Sequence, residues 1–103
     1  MSQKYLVQIL LPITRAAGPV PTATLEQVSE ELSDRFGGVT AYTRTPATGL
    51  WKTSDETDRD TVVMVEVVVN VLDREWWAAY RQSLEQRFHQ ELIHTRALPI
   101  ESV

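Results

Sequence analysis

Between Thr61 and Leu72 the chain places valine at positions 63, 65, 67, 69 and 71, with Val62, Met64, Glu66, Val68, Asn70 and Leu72 between them. β-branched side chains lose rotamer freedom in a helix and pack well on a pleated surface, so this period-two run specifies a strand. Burying each valine contributes on the order of 1.5–3 kcal/mol, which makes the run the expected core strand. Its twelve residues are about twice the usual strand length. One end is therefore expected to overhang its neighbours.

The remaining elements follow from the same kind of pattern. Tyr5 to Ile13 alternates Tyr5, Val7, Ile9, Leu11 and Ile13 against Leu6, Gln8, Leu10 and Pro12, again a strand with two apolar faces. Gly18, Pro19 and Pro21 predict a loop over 15–22. Thr24 with Gln27 three residues on reads as a capping box. Leu25, Val28, Leu32 and Phe36 then form one helical stripe, with Glu31 and Arg35 as an i,i+4 pair and Gly37-Gly38 as the stop. Val39 to Thr45 reads as a second strand, Pro46-Ala47-Thr48-Gly49 as a turn and Leu50-Trp51-Lys52 as a short return arm. The stretch from Thr53 to Asp60 has no apolar residue and reads as a solvated loop. Asp73 is the expected N-cap of a second helix running to about Gln90, with Trp77, Tyr80, Leu84 and Phe88 on one stripe and Trp76 beside it. Ile93 to Leu98 closes the chain as a last strand before Pro99.

The order β, α, β, β, α, β is the split βαβ pattern of an α+β ferredoxin-like sandwich: an antiparallel sheet with both helices on one face. Right-handed crossovers put the first and third strands in the centre. The whole chain, 1–103, is expected to form one such domain. With the all-valine side under the helices, the other face carries Leu6, Gln8, Leu10, Met64, Glu66, Val68 and Asn70. Such a face is too apolar for bulk water, and a second copy covering it would bury it symmetrically. A homodimer is the expected state.

Composition narrows the partners. A formal charge of −4 without a basic cluster argues against nucleic acid and anionic lipid. The absence of cysteine removes disulfides, thiolate nucleophiles and Cys-based zinc sites. The run from Tyr5 to Leu11 is too short to span a membrane, and removing it as a signal peptide would discard a core strand. The cytoplasm is the expected compartment.

The two-sided central strand, the Trp-rich second helix and the element order resemble the dimeric α+β barrel group of ferredoxin-like domains. Phe36-Gly37-Gly38-Val39-Thr40 followed by Gly49-Leu50-Trp51-Lys52 resembles a small uncharacterised bacterial subfamily. That group includes cofactor-free monooxygenases, haem-degrading enzymes, isomerases and proteins without assigned function, so the resemblance implies a fold and carries over no catalytic residue.

The residues themselves offer a short list of chemical candidates. Glu66, an acid inside a valine-rich strand, is the first: covered by a partner it is a candidate general base or cation ligand, and otherwise it is a solvated or interface-paired carboxylate. His94 at the start of the last strand and Tyr42 complete the catalytic candidates. His89 lies five residues from His94, a spacing unlike the i,i+4 pair that one helix presents to zinc, and no metal site is expected. Asp55, Glu56, Asp58 and Asp60 lack the glycine and terminal glutamate of a calcium loop. Tyr42, Arg44, Trp51 and Lys52 around one hairpin are candidates for an anionic or planar ligand, or else an aromatic plug with outward cations. Met64, Glu66 and Asn70 complete the ligand-binding candidates. No phosphate-loop, nucleophile-elbow or dinucleotide signature occurs and no cofactor is expected. Three readings follow: a homodimeric domain that binds a small organic molecule or serves as an association module, a cofactor-independent enzyme of monooxygenase or isomerase type with its site on the open sheet face, or a purely structural or regulatory subunit.

Overall fold

A computed structural model describes residues 3–15, 18–53 and 56–103, the side chains of 15 and 44–60 excepted. The elements are β1 (Lys4–Pro12), β2 (Thr14–Arg15), β3 (Gly18–Pro19), α1 (Thr22–Phe36), β4 (Thr40–Thr53), β5 (Glu56–Val69), α2 (Arg74–Arg87) and β6 (Thr95–Ile100). The four long strands form an antiparallel sheet in the order β4-β5-β1-β6, and β2 and β3 form a separate two-residue ladder. This is the ferredoxin-like arrangement, with β1 and β5 central.

The core lies on the helix side. Val7, Ile9 and Leu11 of β1 and Val63, Val65, Val67 and Val69 of β5 are all buried, together with Val28 and Leu32 of α1 and Trp77, Leu84 and Phe88 of the α2 stripe. The valine run ends one residue pair early: Val71 lies beyond β5 and is 78% exposed. Chain direction turns there toward Asp73, whose side chain accepts the Trp76 backbone N–H at 3.1 Å and starts α2.

Several boundaries differ from expectation. α1 begins at Thr22, ahead of Thr24, with Pro21 as N-cap and no side-chain capping bond. Proline fixes φ and lacks an N–H, so it fits the helix entrance and the Thr24 N–H bonds the Pro21 carbonyl instead. The stop at Gly37 is as expected, with φ 83° in the left-handed region. Glu31 does not turn to Arg35. It accepts from Tyr80 and Arg87 of the other helix at 2.9 and 2.7 Å, while the Arg35 guanidinium sits 4.2 Å from the Trp76 ring centroid. α2 ends at Arg87 rather than near Gln90. His89 adopts φ 52°, and the Gln90 and His89 N–H groups bond the Glu85 and Gln86 carbonyls, closing the helix as a Schellman motif without glycine. β6 runs from Thr95 through Pro99 to Ile100, because an outermost strand needs no N–H on its free side.

The largest difference lies between Pro46 and Asp60. Neither the turn at 46–49 nor the loop at 53–60 forms as expected: β4 continues to Thr53 and β5 starts at Glu56, paired from Ala47↔Val62 to Thr53↔Glu56 after a register shift beyond Tyr42. Backbone hydrogen bonds carry that ladder, so composition does not report it. On β5, β1 reaches only Val62 to Val69 and the Ile13 N–H bonds the Thr61 carbonyl, so within the sheet residues 56–60 pair with β4 alone. The overhang expected of the 61–72 run does not form: β5 ends at Val69 and instead extends backward to Glu56, where it is paired with β4 as a two-stranded arm. Asp55 lies outside the described residues.

Candidate functional site

Strand register arranges the helix-free face in three rows. Leu6 stands between Val68 and Leu98, Gln8 between Glu66 and Arg96, and Leu10 next to Met64. The Leu10 N–H bonds the His94 carbonyl, and Tyr42 pairs with Met64, so the third row runs Tyr42, Met64, Leu10, His94. A polar row thus lies between two mostly apolar ones. Tyr42, Val68 and Leu98 are 45%, 50% and 42% exposed.

The polar row is one connected chain. Arg96 donates through Nε to the Gln8 amide oxygen at 2.7 Å, and Gln8 donates through Nε2 to Glu66 Oε1 at 3.0 Å. Tyr42, reaching diagonally from the neighbouring row, donates its hydroxyl to Glu66 Oε2 at 3.0 Å. The Gln8 amide has only one orientation here, since a flip would set its NH2 against the guanidinium, which is a donor only. The hydrogen bond to Glu66, and then the charge of that carboxylate, raise the Tyr42 phenol above its ordinary pKa. Tyr42 is consequently held as a donor.

Glu66 uses two of about four lone-pair sites for these bonds. Among the described residues no cation pairs with it directly; the nearest in the chain of bonds, Arg96, acts through Gln8. A carboxylate arranged this way can accept a further donor or a cation from a ligand or a partner.

The other candidates are placed as follows. His94 is exposed at the entry to β6. It lies two strands from Glu66, roughly 10 Å between backbones at about 4.8 Å per strand. Met64 is half-buried beside Leu10, and Asn70 is exposed just past β5. The side chains of Arg44, Trp51 and Lys52 lie outside the described residues. Their backbone belongs to the arm: Trp51 pairs with Asp58, whereas Tyr42 pairs with Met64, six residues or roughly 20 Å apart along β5. Arg96 and the role of Gln8 were missed by sequence reasoning. Only the β6 register reveals them, because Arg96 alternates with Thr95 and Ala97 in a strand too short to show a pattern. Among the described residues no group of three or more His, Asp or Glu side chains converges as a metal site would require, and no helix is long and apolar enough to cross a membrane.

No protein-family model matches the chain, and no curated protein matches it. Solved structures do. The chain is similar to CutA from Synechococcus elongatus PCC7942, at 14% identity and a TM-score of 0.62 over 97% of this chain and 79% of that one. It is similar to the divalent cation tolerance protein Cut A1 from Thermus thermophilus, at 13% identity and 0.65 over 97% and 86%. A phage SAM lyase in complex with S-methyl-5'-thioadenosine matches at 12% identity and 0.61 over 96% and 90%. At such identities the likeness shows the fold alone, and neighbours so different in name share it: the chain has a ferredoxin-like α+β fold.

Proposed function

We propose that this chain is a single-domain cytoplasmic association module, homodimeric through its helix-free sheet face, with a small organic ligand held over the polar row. The carrying observation is the pattern of that face: Val68, Leu6 and Leu98 in one row and Tyr42, Met64 and Leu10 in another, flanking a carboxylate with spare acceptor capacity. Closing this face against a second copy removes apolar area from water at about 25 cal/mol per Å2. The arm supports the same reading, since a two-stranded ribbon is marginal in water alone and its free β5 edge offers backbone groups to another chain. Nucleic acid and membrane have no part in this proposal.

Sedimentation velocity on the wild type and Val68→Asp tests it. The wild type sediments as an oligomer, and an aspartate at that half-exposed position gives a folded monomer. A wild type that is monomeric at micromolar concentration removes the proposal.

The Tyr42–Glu66 hydrogen bond favours a second reading, a cofactor-independent enzyme in which Glu66 abstracts a proton and Tyr42 donates one. Under that reading Glu66→Gln keeps its thermal midpoint and loses turnover. Unchanged turnover takes Glu66 off the catalytic list.

A further inference from the structure

On the other side of the sheet, between α2 and the edge strand β6, lies a groove of about 220 Å3. Its apolar walls come from Val7, Trp77, Ala78 and Ala97, and every titratable residue lining it is an arginine: Arg74, Arg81 and Arg96. That is a local excess of cations in a chain with 14 acidic and 10 basic residues. Arg96 spends its Nε on Gln8 across the sheet, so the cations left to the groove are those of α2. Arg81 gives one bond to Glu85 at 2.8 Å, out of five N–H groups in a guanidinium. Arg74 is exposed at the first turn of α2 and has no ion pair among the described residues.

The edge of β6 adds two further donors. Because the Leu10 N–H bonds the His94 carbonyl, the hydrogen-bonded pairs of this ladder are the even residues of β6. The N–H groups of Thr95 and Ala97 therefore point away from β1, at the free sheet edge beside the groove that both residues line. β6 is the last strand of the sheet, so no strand takes them.

We propose that this groove binds a small carboxylate carried on an apolar body, the body against Trp77 and Val7 and the carboxylate between Arg74, Arg81 and the β6 edge. Planar guanidinium groups match the two oxygens of such an anion. The size of the groove favours a small molecule: drug-sized sites occupy roughly 300–1,000 Å3. An extended peptide added to β6 is the other conceivable occupant. It fits worse, because Pro99 has no N–H and ends the available ladder after two donors.

The experiment is an NMR titration of the full, isotope-labelled chain with phenylacetate, using benzyl alcohol as the uncharged control. Phenylacetate shifts the Trp77 indole and the Thr95 and Ala97 amides saturably. Benzyl alcohol binds at least tenfold more weakly, and Arg74→Glu, a change at an exposed position, weakens phenylacetate by tenfold or more. Arg81→Gln gives a second reading of the same charge effect. Non-saturable shifts, equal binding of the alcohol, undiminished binding to a folded Arg74→Glu chain, or displacement of phenylacetate only by an acidic extended peptide each overturn the proposal. The groove lies on the helix side, so the outcome is independent of association through the other face.

Discussion

Glu31 and Glu66 each accept a tyrosine hydroxyl, yet they stand in opposite kinds of site. Glu31 lies between the helices, takes Tyr80 and Arg87 on one oxygen, and so has its cation in direct contact. Glu66 lies on the helix-free face, takes Tyr42 and Gln8, and has Arg96 one residue further off. The first arrangement has its charge balanced in place and ties α1 to α2. The second leaves a carboxylate with no directly bonded cation among the described residues on an exposed, mostly apolar surface, where a ligand or a second copy can supply one. A direct cation marks the structural carboxylate; a charge left unbalanced marks the candidate site.

The comparison extends to the two faces on which these groups sit, and substitutions separate them. Leu84→Ala, at a fully buried position under the helices, loses about 2–5 kcal/mol in urea denaturation. Val68→Ala on the other face leaves the stability of the separated chain within about 0.5 kcal/mol while weakening self-association. Equal losses from the two would break the comparison. Tyr80→Phe removes the hydroxyl that joins the helices and destabilises by about 0.5–1.5 kcal/mol, whereas Tyr42→Phe, on the exposed side, leaves the thermal midpoint unchanged.

Alkaline pH sharpens the same contrast. Burial first, then the bond to Glu31, raise the Tyr80 phenol well above its ordinary value of 10.0. The folded chain thus binds that proton more tightly than the unfolded one, and the resulting stability is complete below about pH 10 and is lost as pH rises further. Denaturation across this range shows a steeper alkaline decline for the wild type than for Tyr80→Phe. Parallel curves would show that the inter-helix group contributes nothing. A modest gain belongs to the helix end: His89→Gly relieves a left-handed residue at φ 52° and, net of glycine's greater loss of freedom, adds about 0.5–1 kcal/mol.

Much of this fold is legible in the sequence because periodicity records burial. The valines at 63, 65, 67 and 69, the Trp77–Leu84–Phe88 stripe and the Asp73 cap all report one-sided packing, and all stand where their spacing puts them. The arm is not legible: residues 56–60 are polar, and their pairing with β4 is made by backbone groups common to every sequence. The site is legible by halves. Glu66 and Tyr42 are conspicuous by chemistry, but their contact depends on a one-row diagonal between strands. The link from Arg96 through Gln8 depends on a register joining residues 88 apart in the chain.

The central claim is that the face bearing Glu66 is covered by a second copy of the chain. Mixing differently isotope-labelled chains and recording only intermolecular methyl NOEs tests it directly. The account predicts contacts among Leu6, Met64, Val68 and Leu98 across the two copies. Their absence in an oligomer whose intermolecular contacts come from α1 and α2 would contradict it.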